Sequence, residues 1–163
     1  MHAFFESKEM KRLQPEEQAR IAAETQSKIK PAEIDRIRVL IVDDHAIMRR
    51  GLTALLSNVP DMEIAGEAAD GEASISLVRE LCPDVVLMDI SMPGMSGIEA
   101  TRIIHSELPD VRVIGLSMFQ EGGLGEAMRK AGAVEYLTKG VPAEILISAI
   151  RRCGQNRSLC ARP

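Results

Sequence analysis

Asp43, Asp44, Asp89, Ser117 and Lys139 are the residues of this chain whose types could do chemistry together. Each stands where a short apolar run stops. The run at 39–42 leads into Asp43-Asp44 and the run at 85–88 into Asp89; likewise 113–116 leads into Ser117 and 134–138 into Lys139. Three clustered carboxylates repel one another unless a cation lies among them. Oxygen donors of this kind suit a hard ion such as Mg²⁺, which keeps several waters and takes few carboxylates. A lysine and a hydroxyl beside that ion offer a phosphoryl group a point charge and a hydrogen-bond donor. Aspartate is itself a covalent phosphoryl acceptor in known chemistry. A lone strand-end Asp or Lys is an ordinary solvated loop charge. Four such strand ends in one chain argue for a shared site.

The elements that must position these residues are short, Val- and Ile-rich runs separated by helix-like stretches, the pattern of buried parallel strands. In an open parallel sheet, ligands bind at the carboxyl ends of the strands, so the five residues converge on one rim. Strand and helix alternate five times from Ile37. Helices are expected near 46–57, 71–81, 97–107, 121–131 and 142–153. In the last, Ile145, Leu146, Ala149, Ile150 and Cys153 form an amphipathic stripe. Ser96 and Glu99 form a capping-box pattern at the start of the third. The second strand, near 62–67, alternates polar and apolar residues and reads as an exposed edge. Right-handed crossovers with helices on both faces give an α/β, doubly wound, five-stranded parallel sheet.

Size and charge narrow the function further. A chain of 163 residues with 45% apolar content supports one core with some excess. The formal net charge of −4 gives no global pull toward nucleic acid or membrane. No apolar stretch reaches the roughly 20 residues of a membrane span. The N-terminus lacks a basic region followed by an apolar core, so no signal peptide is expected. Cys82, Cys153 and Cys160 show no metal-ligand spacing, and cytoplasm is the default compartment. The expected domain organisation is an N-terminal extension at 1–36, one domain at 37–153 and a tail at 154–163. The extension carries seven basic and seven acidic residues. Its Pro15-Glu16-Glu17 is a helix-start pattern, and Pro31 marks a stop. The residues after Arg152 are basic and aperiodic. They read as a tail and not a nucleic-acid module, so no nucleic-acid contact is expected from this chain itself.

Val-Asp-Asp at 42–44, Leu-Met-Asp-Ile-Ser-Met-Pro-Gly-Met-Ser-Gly at 87–97, Leu-Ser at 116–117 and Tyr-Leu-Thr-Lys-Gly at 136–140 occur in an order and spacing that resemble the CheY-like receiver domain of two-component response regulators. The texture of Asp-Asp-His at 43–45 and of 133–140 is similar to the NarL/FixJ (LuxR-type) subclass. The resemblance runs from about Ile37 to about Cys153. It implies a flavodoxin-like fold with strand order 2-1-3-4-5 and five helices. It also implies that Asp89 is the phosphoacceptor, with Mg²⁺ bound by Asp44, Asp89 and the backbone carbonyl of Ser91, and Asp43 helping through water. Lys139 would pair with Asp89 before transfer and with phosphate afterwards. Ser117 would donate to a phosphate oxygen, and Tyr136 would couple its rotamer to phosphorylation.

The implied partners are a sensor histidine kinase or a phosphotransfer protein, with a homodimer as a further option. The chain would be an enzyme only in catalysing its own phosphorylation and dephosphorylation. An alternative is the receiver half of a LuxR-type DNA-binding regulator. A phosphatase of the haloacid-dehalogenase type is disfavoured, because it needs a second Asp two residues after the nucleophile, where this chain has Ser91. The sequence departs from many receivers after the lysine, with Gly140 where a proline is common. His45 reads as a solvated helix-start residue. Gly94 and Gly97 read as loop-forming residues after Pro93. For Phe119 two readings stand, a shield over the phosphoryl group or a ring packed under the fourth helix.

Overall fold

The strands at 37–42, 85–89 and 112–117 are apolar runs whose alternate residues face opposite layers of helices. The computed structural model describes residues 36–119 and 123–155. The expected N-terminal helix and most of the tail lie outside the described residues. The strands are β1 (Ile37–Val42), β2 (Met62–Ala68), β3 (Val85–Asp89), β4 (Arg112–Ser117) and β5 (Glu135–Thr138). They alternate with α1 (Ala46–Leu56), α2 (Gly71–Leu81), α3 (Gly97–Glu107), α4 (Leu124–Ala131) and α5 (Ala143–Gly154).

All strand pairs are parallel and the order is β2-β1-β3-β4-β5, as the resemblance implied. Parallel neighbours need crossovers long enough to hold a helix, which places helices on both faces. On one face Leu40, Val42, Val86, Met88 and Val113 pack against Ile75 and Val78 of α2, Ala100 and Ile104 of α3 and Met128 of α4. On the other, Val39, Ile41, Leu87, Ile114 and Leu116 pack against Leu52 and Leu56 of α1 and Leu146, Ala149 and Ile150 of α5. The period-2 alternation of β1, odd residues one way and even the other, holds this double layer together. β2 is an edge strand, and its pairing with β1 slips between Val39 and Leu40, leaving Ala65 as an extra residue.

Three expectations shift. Helix α4 begins at Leu124 and not near 121, because Gly123 adopts a left-handed φ of 50° at the N-cap and offers no side chain to cap the turn. Residues 120–122 lie outside the described residues. Ile145 is 46% exposed and stands off the buried stripe of α5, which is carried by Leu146, Ala149 and Ile150. β5 starts at Glu135 and is half-buried along its length, as suits an outer strand. The capping box of α3 is complete: Ser96 Oγ accepts from Glu99 N at 3.2 Å, and Glu99 Oε2 accepts from Ser96 N at 3.0 Å. Among the described residues no helix is long and apolar enough to cross a membrane.

Candidate functional site

Strands β1, β3, β4 and β5 end level with one another, so their last or next residues meet on one rim. Asp43 and Asp44 follow β1, Asp89 closes β3, Ser117 closes β4, and Lys139 follows β5. The side chains of Asp43, Asp89 and Lys139 are 1%, 2% and 5% exposed, and that of Asp44 is 24% exposed. The Lys139 ammonium lies 2.6 Å from Asp43 Oδ2 and 2.9 Å from Asp89 Oδ2. To do so its side chain leaves the end of β5 and reaches across β4 to carboxylates on β3 and β1. The sequence pairs Lys139 with Asp89; the structure shares it, with the shorter contact to Asp43.

Each carboxylate is also tied to its own turn. Asp43 Oδ1 accepts from His45 N at 2.8 Å, and the Asp43 carbonyl accepts from Arg49 Nη1 at 2.7 Å. Asp89 Oδ1 accepts from Ser91 N at 3.1 Å. Asp43 Oδ2 and Asp89 Oδ2 are buried with the Lys139 ammonium as their one partner, and Asp44 Oδ1 is a buried oxygen without a hydrogen bond. Burial pushes the Asp89 carboxyl above its ordinary range, and the Asp43 charge adds to that push. Hydrogen bonds from Lys139 and Ser91 pull the other way but do not cancel it. For Lys139, burial acts to lower the ammonium, but hydrogen bonds to Asp43 and Asp89 outweigh it and leave the group raised.

Three carboxylates set against one ammonium leave negative charge in a region that water hardly reaches. Such charge is costly unless paired. Asp43, Asp44, His45 and Asp89 each offer one donor atom, all within 4.8 Å of one another. The donor set and its buried oxygens form an acidic pocket suited to a divalent cation.

Ser117 is 1% exposed; its Oγ accepts from Phe119 N at 3.2 Å and its carbonyl accepts from Lys139 N at 2.7 Å. No contact between Ser117 Oγ and Asp89 is formed among these bonds. Tyr136 is half-buried on β5, and its hydroxyl donates to the Phe119 carbonyl at 2.7 Å. Phe119 itself is 66% exposed, so its ring is not packed under α4. Beside it Met118 is 72% exposed.

Sequence reasoning missed three contributors. His45 is exposed as expected, yet its Nδ1 lies 2.9 Å from Asp44 Oδ1 and 3.3 Å from Asp43 Oδ1. The adjoining Asp-Asp pair was the available signal for that contact. Arg49, in the first turn of α1, braces the Asp43 carbonyl and reaches Glu67 of β2 at 3.5 Å. Nothing local in the sequence marks it. Gly97 is not a loop-conformation glycine like Gly94, whose φ is 73°. A Cβ on Gly97 would collide with the backbone oxygen of Asp89.

Comparison with known proteins adds to this geometry. A family described as the response regulator receiver domain matches residues 39–151. The response regulator GacA of Pseudomonas viridiflava is 43% identical over 115 residues, 71% of this chain and 54% of that protein. The transcriptional regulatory protein LiaR of Bacillus subtilis is 47% identical over 115 residues, again 71% of this chain and 54% of that protein. The chain thus spans about half the length of the curated relatives it matches. The signal receiver domain of the regulator NarL from Mycobacterium tuberculosis superposes with a TM-score of 0.71 at 31% identity, covering 75% of this chain and 98% of that one.

Proposed function

The chain belongs to the response regulator receiver domain family, and from that premise we propose that Asp89 accepts a phosphoryl group from a phosphohistidine. The donor would be a sensor kinase or a phosphotransfer protein. The observation that carries this reading is the meeting of Asp89 Oδ2 and the Lys139 ammonium, 2.9 Å apart, beside the carboxylates of Asp43 and Asp44.

In the transfer, an Asp89 oxygen forms a bond to phosphorus as the bond from phosphorus to imidazole nitrogen breaks, and the imidazole leaves with the nitrogen's electron pair. Asp89 is suited to this because Ser91 N holds Oδ1 and so aims the other oxygen at the rim. Lys139 lies where it balances charge on the attacking carboxylate, and its raised pKa keeps it a cation near neutrality. Mg²⁺, held by Asp44, Asp89 and the Ser91 carbonyl with Asp43 in support, would supply charge neutralisation for the acceptor and the incoming oxygens. Ser117 would donate its hydroxyl proton to a phosphate oxygen, and Tyr136 would follow the loop it already touches through Phe119. The output we propose is a protein contact surface that re-packs on phosphorylation, with residues 37–153 as the working unit.

Intact mass after incubation with Mg²⁺ and acetyl phosphate tests the assignment. The wild-type chain should gain one phosphoryl group and Asp89→Asn none, since the amide keeps the shape but loses the nucleophile. An equal gain in Asp89→Asn would remove Asp89 from the role.

A further inference from the structure

His45 brings a nitrogen donor to a rim otherwise built of oxygens and one ammonium. Its backbone N–H, bonded to Asp43 Oδ1 at 2.8 Å, fixes the residue at the turn into α1. From there Nδ1 turns to the acids, 2.9 Å from Asp44 Oδ1 and 3.3 Å from Asp43 Oδ1, while the side chain stays 71% exposed. A second observation points to a ligand at the same place. The carboxylates of Asp43 and Asp89, 1% and 2% exposed, each aim into the pocket an oxygen that has the single Lys139 ammonium as its one partner, so two buried negative charges share one positive charge. Asp44 Oδ1, also buried and without a hydrogen bond, has His45 Nδ1 as its near neighbour.

We propose that His45 is a selectivity residue of the cation site, adding an imidazole to Asp43, Asp44 and Asp89 so that a borderline divalent ion such as Ni²⁺ or Zn²⁺ binds there more tightly than Mg²⁺. The proposal rests on the reading that these carboxylates hold a divalent cation. Carboxylate oxygens alone suit Mg²⁺, whereas imidazole suits Ni²⁺, Cu²⁺ and Zn²⁺. Mg²⁺ gives up its water reluctantly and gains little from an exposed ring nitrogen. A neutral imidazole can use Nδ1 as a donor to the ion while Nε2–H remains in solvent. The ion would draw on Asp89, the same carboxylate used in phosphoryl acceptance, and would compete with Mg²⁺ for it.

Calorimetric titration of the full chain with Ni²⁺ and with Mg²⁺ tests this, on wild type, His45→Ala and Asp44→Asn. The Ni²⁺ counted is that displaced by excess Mg²⁺, which separates it from binding at His2, His105 and the cysteines. His45→Ala should weaken this Ni²⁺ binding about tenfold or more and change Mg²⁺ affinity less than about twofold. Asp44→Asn should weaken both ions. Unchanged Ni²⁺ affinity in His45→Ala overturns the proposal while leaving the Mg²⁺ reading intact. Unchanged affinity for both ions in Asp44→Asn overturns that underlying reading, and the proposal with it. Far-UV circular dichroism of each variant confirms that the fold is kept, and a ring-nitrogen NMR shift of His45 on adding Ni²⁺-like diamagnetic Zn²⁺ reports the bond directly.

Discussion

Gly97 rests on the carbonyl of Asp89 with no room between them for a side-chain carbon. The first residue of α3 thereby sets the height of the β3 end and of the carboxylate it carries. The contact is closed by Gly97 N, which donates to Ile90 O at 3.1 Å. Gly97→Ala should force the β3–α3 loop to move and destabilise the fold by about 1–3 kcal/mol, the usual range for overpacking. Its gain of mass with acetyl phosphate should fall as well. Gly51 is the contrast, an exposed glycine inside α1 with nothing near its missing Cβ. Gly51→Ala should stabilise by roughly 0.5–1 kcal/mol through helix propensity. Urea midpoints of the two variants should move in opposite directions.

Lys139 and Asp89 should show opposite signs on replacement. A carboxyl held above its ordinary 3.8 stabilises the fold while protonated, and that contribution is lost as pH rises through the raised value. At neutral pH without divalent cations, Asp89→Asn should therefore raise the urea midpoint. Its advantage should shrink as pH falls toward 3.8. Lys139→Met removes the ammonium from buried acids and should cost about 3–5 kcal/mol. Millimolar Mg²⁺ should return part of that loss. Equal midpoints for wild type and Lys139→Met in a chelator would contradict this account.

The link between Asp61 and α5 gives a pH dependence of the other sign. Arg151 forks onto Asp61 at 2.8 and 2.9 Å, and this hydrogen bonding holds the Asp61 carboxyl below 3.8. A depressed carboxyl stabilises the fold above its unfolded value, and the contribution is lost as pH falls through the folded value. Both side chains are more than a third exposed, at 40% and 45%, so solvent screening keeps the pair's contribution small. Arg151→Met should lower the urea midpoint slightly at pH 7. The gap to wild type should close in acid below 3.8 and in 1 M salt, where the Debye length is about 3 Å.

The segment after β4 should be loosely held and locally separable from stability. Helix α4 has eight residues and no side-chain N-cap, whereas α3 has a full capping box. Hydrogen exchange of 124–131 should therefore run faster than that of 97–107. Because Phe119 is 66% exposed, Phe119→Ala should leave the urea midpoint within about 0.5 kcal/mol of wild type. If the ring shields the phosphoryl group, the same change shortens the phosphorylated lifetime by roughly tenfold, about 1.4 kcal/mol of barrier. An unaltered decay rate assigns the ring no shielding role.

The strands and helices were legible because their signals are local. A run such as 85–88 and the Ser96/Glu99 pair carry their meaning within a few residues, and both elements stand where their patterns placed them. The start of α4 was not, since a left-handed Gly123 looks the same in a sequence as a helical one. Ile145 fits helical spacing but sits at the margin of the stripe, where the packing angle of α5 decides burial. At the site, the residue types and the rim were readable from where each run stops. What could not be read were contacts between strands far apart in order. Asp43 and Lys139 are separated by β3 and β4, and no periodicity records that a lysine stem is long enough to cross them.

That crossing would tie two equilibria together. A cation held by Asp43 and Asp89 would draw on the oxygens that the ammonium faces, Asp43 Oδ2 and Asp89 Oδ2, so each would weaken the hold of the other. Linkage would make the effect reciprocal: whatever drew Lys139 off Asp43 would tighten the cation, and the cation would favour the withdrawn lysine by the same factor. The end of an outer strand would thereby respond, through one side chain, to the ionic composition of the solution at the opposite side of the rim.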